Sequence, residues 1–85
     1  MFSFFKKRIP PEDNLRIYFN KKEYDAVIEI YESNAAECAQ YQGMVDLYLS
    51  ALWAKGTQRE KCITLIQQFE KQFKTSRWTE QWLDQ

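Results

Sequence analysis

Apolar residues recur along most of this chain at the three- and four-residue spacing of a single helix face, and their phasing marks four helices and a short fifth. Tyr24, Val27, Ile28 and Tyr31 fall at i, i+3, i+4 and i+7, with Asp25, Glu29 and Glu32 on the far side, which predicts an amphipathic helix starting at Tyr24. Cys62, Leu65, Ile66, Phe69 and Phe73 make a second such stripe, with Gln67, Gln68, Glu70 and Lys71 facing outward. Between the two, residues 35 to 55 are apolar nearly all round: Met44, Leu47, Tyr48, Ala51 and Leu52 form one stripe, and Val45, Leu49 and Trp53 widen it. That breadth predicts a central helix covered on two sides, the spine of the core. Leu15, Tyr18 and Phe19 predict a helix ahead of these, and Trp78, Trp82 and Leu83 predict a short one from Arg77.

Polar and turn residues place the boundaries. Pro10-Pro11-Glu12-Asp13 reads as a helix start, because Pro is tolerated in a first turn and the acids meet the positive end of the helix dipole. Asn20-Lys21-Lys22 is a polar break in which Asn20 can take the left-handed conformation that ends a helix. Asn34 with Glu37 three residues on is a capping pair for the central helix. Lys55-Gly56 would close that helix, and Thr57-Gln58-Arg59-Glu60 reads as a capping box opening the next, which Lys74-Thr75-Ser76 would end. Gly43, inside the central helix, would mark either a kink or a place where another helix comes close.

A self-comparison adds a relation between these helices. Residues 15–34 align with 50–69 at an offset of 35 without a gap, pairing Ile17 with Leu52, Tyr18 with Trp53, Val27 with Cys62, Ile28 with Ile63, Ile30 with Leu65 and Tyr31 with Ile66. Each copy is a helix, a tight turn and a helix. In this the chain resembles the tetratricopeptide-repeat class over residues 12–74: Tyr24, Ile28 and Tyr31 look like the aromatic-aliphatic-aromatic face of that family's second helix, and Gly56 stands near its turn glycine. Lys21 stands where the first copy should have the turn glycine, Val27 where a small Ala is usual, and the second copy has one residue more in its turn than the family pattern. The resemblance implies an all-α fold of two αα-hairpins stacked on each other, with the last helix as a C-terminal cap and a groove for a partner's helix or peptide. A plain four- or five-helix bundle satisfies the same packing pattern.

Composition narrows the function. Eighty-five residues suffice for one helical domain, expected over 11–85, preceded by an arm at 1–10. The net charge of zero conceals blocks: +4 over residues 1–22, −6 over 23–50, +4 over 51–77 and −2 over 78–85. Such alternation can hold the protein's own helices together, pair two copies as a homodimer, or receive a basic partner. Arg59, Lys61, Lys71, Lys74 and Arg77 gather around the helix after Gly56, but the acidic block beside them makes nucleic acid a poor partner. Cys38 and Cys62 sit in helical patterns beside apolar residues and read as small hydrophobes of a reducing cytoplasm, with a disulfide left open. In the arm, Phe2, Phe4 and Phe5 precede Lys6, Lys7 and Arg8, a stretch far short of a membrane span. It could touch an anionic membrane surface weakly and peripherally, or pack into a groove of its own domain or of a partner subunit.

The chemistry available points away from catalysis. Without a single His, Ser-His and Cys-His pairs and His-based metal sites are ruled out, two scattered Cys cannot form a structural zinc site, and the two Gly are too isolated for a phosphate loop. Asp25, Glu29 and Glu32 read as a solvated helix face. The expectation is therefore a module without enzymatic activity or cofactor, an adaptor or chaperone-like subunit. Its groove would be rich in Tyr18, Tyr41, Tyr48 and Trp53, with Trp78 and Trp82 capping the stack or, if exposed, forming a binding patch.

Overall fold

The computed structural model describes residues 11–84, so the expectations for the arm at 1–10, with Phe2, Phe4, Phe5, Lys6, Lys7 and Arg8, fall outside the described residues. Over that span the chain is all-α: α1 is Pro11–Asn20, α2 Tyr24–Ser33, α3 Ala35–Cys38, α4 Gln42–Lys55 and α5 Arg59–Phe73, followed by a π-helical turn at Thr79–Leu83. Among the described residues no helix is long and apolar enough to cross a membrane.

α1 carries Glu12 and Asp13 in its first turn, where the helix dipole favours acids. It ends on Lys22 rather than on Asn20: Lys22 takes φ +61, its N–H donates to the Phe19 carbonyl at 2.9 Å, and the Glu23 N–H reaches back to the Tyr18 carbonyl at 2.9 Å. This double bond pattern satisfies two otherwise orphaned carbonyls and needs one left-handed residue two places beyond the last helical one, which puts the requirement on Lys22. The next helix pair solves the same problem with Gly56 at φ +75, as anticipated, and α5 ends on a left-handed Lys74 at φ +56.

The predicted central helix is broken. Residues 39–41 leave the helix, with Tyr41 extended at φ −118, ψ 121, and α4 starts beyond them; Gly43 lies in its first turn with nothing within 4 Å of where a Cβ would sit, so no other helix comes close there. Periodicity could not reveal the break, because Cys38, Val45 and Leu52 are spaced by seven and stay in phase across it. The break lets the chain turn from α2 into α4 while Cys38 remains fully buried, and Gln72 of α5 donates to the Ala39 carbonyl exposed by it, at 2.8 Å. Two expected caps are absent as well. Asn34 donates backward to the Ile30 carbonyl at 2.8 Å and makes no cap bond. Thr57 lies one residue too early, since the turn after Gly56 delays α5 to Arg59 and puts Gln58 at the N-cap, again without a side-chain bond.

The repeat survives these changes. α1 and α4 end, and α2 and α5 begin, at positions 35 residues apart, and the turn between the helices of each pair is three residues long. α1 packs on α2 and on α4, α2 on α4, and α4 on α5. The core comprises Leu15 of α1, Val27 and Tyr31 of α2, Cys38 of α3, Met44, Val45, Tyr48, Leu49, Ala51 and Leu52 of α4, Cys62, Ile66 and Phe69 of α5, and Trp78. Because six of these come from α4, that helix is the spine, and each fully buried Leu, Ile or Val contributes about 1.5–3 kcal/mol. Both thiols are buried and free.

The two pairs differ along the outer row of the first one. Leu52 is 1% exposed, but its counterpart Ile17 is 43% exposed, and Tyr48, Leu49 and Ala51 are matched on α1 by Asp13, Asn14 and Arg16. Arg16 there donates to Glu12 at 2.7 Å. The outer row of α1 is thus mostly polar, as in the terminal unit of a stack, which has no further unit to cover it.

Candidate functional site

Of the four aromatics expected to line a groove and the two Trp expected to cap the stack or form a binding patch, Tyr48 and Trp78 are core. Tyr48 is 3% exposed and lies flat against Tyr31, with ring centroids 3.8 Å apart and planes within 2°. Its hydroxyl donates to Glu32 Oε2 at 2.7 Å, and Lys61 Nζ donates to the same oxygen at 3.0 Å, so one carboxylate joins α2, α4 and α5. The Tyr48 bond, followed by that of Lys61, holds the Glu32 carboxyl below its ordinary value. Burial, reinforced by the Glu32 carboxylate, raises the Tyr48 hydroxyl well above the usual phenol range, and burial pushes Tyr31 up to about 12. Trp78 is fully buried, and its indole N–H donates to Asp46 Oδ1 at 2.8 Å. Tyr48 and Trp78 are therefore corrected from partner-binding positions to core: the long apolar rings reach inward, and each finds a carboxylate for its polar tip, as buried Tyr and Trp require.

The other four stay wholly or partly at the surface, and only two of them meet. Trp53 and Trp82 are half-buried and stack with centroids 5.4 Å apart and planes within 9°. The Arg59 guanidinium lies 4.0 Å from the Trp53 ring centre, within cation–π range. Tyr18 is half-buried on α1 with the Lys21 ammonium 5.7 Å from its ring centre. Tyr41, 52% exposed, sits at the break before α4. Neither Tyr18 nor Tyr41 enters an aromatic stack among the described residues.

The segment after α5 is what brings Trp82 to Trp53. From the left-handed Lys74 the chain turns back over the second helix pair, where Glu70 of α5 accepts both the backbone N–H and the hydroxyl of Thr79, at 2.7 and 2.6 Å. Trp78 then enters beside Asp46, and Trp82, four residues on, lies one turn further along against Trp53. Asp46 and Glu70 are the residues that periodicity passed over. Asp46 did carry a signal, since it is the one acid in the apolar run of α4, and a lone acid among apolar residues implies a buried donor.

Two ion pairs join the charge blocks within the chain. Lys55 of α4 pairs with Asp25 of α2, and Lys61 of α5 with Glu32, so bases of the 51–77 block meet acids of the 23–50 block. An open recess of about 490 Å³ beside Thr64, Gln67, Gln68 and Lys71 is lined by α5 alone and does not touch the aromatic cluster. Among the described residues no group of three or more Cys, Asp and Glu is gathered for a metal ion. Compared with protein-family models, with characterised proteins and with solved structures, the chain matches none.

Proposed function

We infer that the chain is a non-catalytic protein-interaction module, an adaptor or chaperone-like subunit that receives a helix or extended peptide of a partner protein. The observation that carries this reading is the partly exposed Trp53 ring, with Arg59 against it and Trp82 lying on it as a planar aromatic ring would, set on two helix pairs in register. An indole supplies large contact area with two rotatable bonds to immobilise, and a guanidinium a planar fork of donors that stacks on aromatic rings, and both Trp and Arg are enriched among the residues that dominate interface energetics. The tetratricopeptide-like pattern agrees with it, since helix-pair stacks of that type offer a face rather than a cavity to partners. The polar outer row of α1 also favours a partner on a face of the stack over continuation of the stack by further repeats.

The test is affinity capture from native extract with the full chain and with its Trp53→Ala variant, read by quantitative mass spectrometry. A stoichiometric partner captured by the first and reduced at least tenfold with the second supports the reading. Recovery of the bait alone in both, together with a light-scattering mass that rises with concentration, would instead assign the protein to self-association.

A further inference from the structure

Resting on that reading, we propose that the groove along α4 and α5 recognises a helical segment carrying two aromatic residues four apart, Trp at the first, and that the chain's own C-terminal segment occupies it as a displaceable internal ligand. The groove's chemistry is written in the contacts of its present occupant. Trp78 is fully buried with its N–H on Asp46 at 2.8 Å, so the first subsite accepts an indole and rewards its donor. Phe at this position would leave the Asp46 carboxylate without that bond. Trp82 lies on Trp53 at 5.4 Å, with Arg59 against the same Trp53 ring, so the second subsite is a flat aromatic platform that takes any planar ring. Between the two, Glu70 takes the N–H and hydroxyl of Thr79, the bonds an acid makes at the start of a helical turn.

The way the segment is attached makes it removable. Its own backbone bonds are local, Glu80 N–H to the Ser76 carbonyl at 2.9 Å and Asp84 N–H to that of Thr79 at 2.9 Å, and Ser76 donates to Glu80 at 2.6 Å. Beyond Thr75, whose N–H donates to the Glu70 carbonyl at 3.0 Å, no backbone–backbone hydrogen bond among the described residues ties it to α4 or α5; it is held by the burial of Trp78 and by the side chains of Asp46, Trp53 and Glu70. Lys74, left-handed at φ +56, and the non-helical Thr75-Ser76 form the hinge. The turn itself is π-helical, a form that occurs in short pieces and often at functional sites. A tethered occupant competes with an incoming one at high effective concentration, so the apparent affinity for a partner falls by the fraction of time the groove is open.

The probe is a fluorescein-labelled peptide of this chain's residues 75–84, titrated by anisotropy into the full-length protein. Trp82→Ala loosens the internal occupant and leaves the groove intact, so the variant should bind the probe at least tenfold more tightly than the wild type. Adding Asp46→Ala to Trp82→Ala should remove at least tenfold of that gain. Native-state hydrogen exchange of the wild type supplies a readout that no substitution can compromise: the amides of residues 79–84 should exchange through an opening that leaves those of α4 protected. Exchange of 79–84 only with the whole molecule, equal probe affinity for wild type and a folded Trp82→Ala chain, or a light-scattering mass showing the segment traded between two copies would overturn the proposal. If capture of a partner persists and depends on Trp53 while the probe fails, this groove is wrong and the wider reading stands; if the probe binds and capture fails, the reverse holds.

Discussion

Replacing Tyr48 by Phe isolates a single hydrogen bond in the middle of this fold. The ring keeps its place against Tyr31, because the stack at 3.8 Å uses carbon atoms only, while the 2.7 Å bond to Glu32 disappears. A hydrogen bond to a charged group contributes about 1.5–3 kcal/mol, but the Glu32 side chain is 44% exposed and retains Lys61, so water recovers part of the loss and about 1–1.5 kcal/mol is expected, or roughly 4–12 °C in Tm for a domain this small. Tyr31→Phe is the internal control: it removes a buried hydroxyl that no described residue bonds, and should change stability by less than about 0.5 kcal/mol or raise it. The pH dependence gives a second, independent reading. Since the folded-state carboxyl of Glu32 is depressed by Tyr48 and Lys61, its contribution is present above the ordinary carboxylate value of 4.5 and is lost as pH falls through the depressed one. Urea unfolding of both variants between neutral pH and pH 3 should therefore show the gap between wild type and Tyr48→Phe narrowing as the solution is acidified. A Tyr48→Phe penalty no larger than that of Tyr31→Phe, or a gap constant with pH, would refute the assignment of Glu32 as the junction of the three helices.

Two further outcomes follow from local geometry. Lys22→Gly should stabilise the protein by about 0.5–1 kcal/mol in thermal or chemical melts, because the left-handed position at φ +61 strains any residue with a Cβ by more than Gly loses in chain entropy. Cys38 and Cys62, both fully buried and with burial raising each thiol, Cys62 to about 11, should react with an aromatic disulfide reagent near neutral pH only at the rate of global opening, and at once in denaturant; a thiol that reacts rapidly in the native protein would contradict the packing.

The all-α class, the stripes of α2 and α5, the spine role of α4 and the 35-residue register between the two turns were legible in the sequence, because each rests on periodicity, which reports burial directly. The break at residues 39–41 was not, since the apolar phase runs through it unchanged, nor was the shift of the left-handed position from Asn20 to Lys22, which depends on which carbonyls the turn must satisfy rather than on what Asn prefers. The aromatic site was half legible. Periodicity says that Tyr48 and Trp78 lie on apolar faces, but whether such a face is the core or a groove depends on what lies opposite, and it is Tyr31, Glu32 and Asp46, from other parts of the chain, that make both residues interior. Trp53 and Trp82 met because the chain reverses at the left-handed Lys74 and runs back over the second pair, and no local signal encodes where that reversal leads.

The sharing of α4 between the two helix pairs has a consequence for how the molecule comes apart. In long arrays of repeats each unit owns its helices, so the array can melt piecemeal from an end. Here the helix that completes the second hairpin is also the one against which both α1 and α2 are buried, and removing it leaves neither hairpin with an interior. Apart from its C-terminal segment, the protein should lose secondary and tertiary signals in one coincident transition, the behaviour of a single cooperative unit rather than of two modules placed side by side.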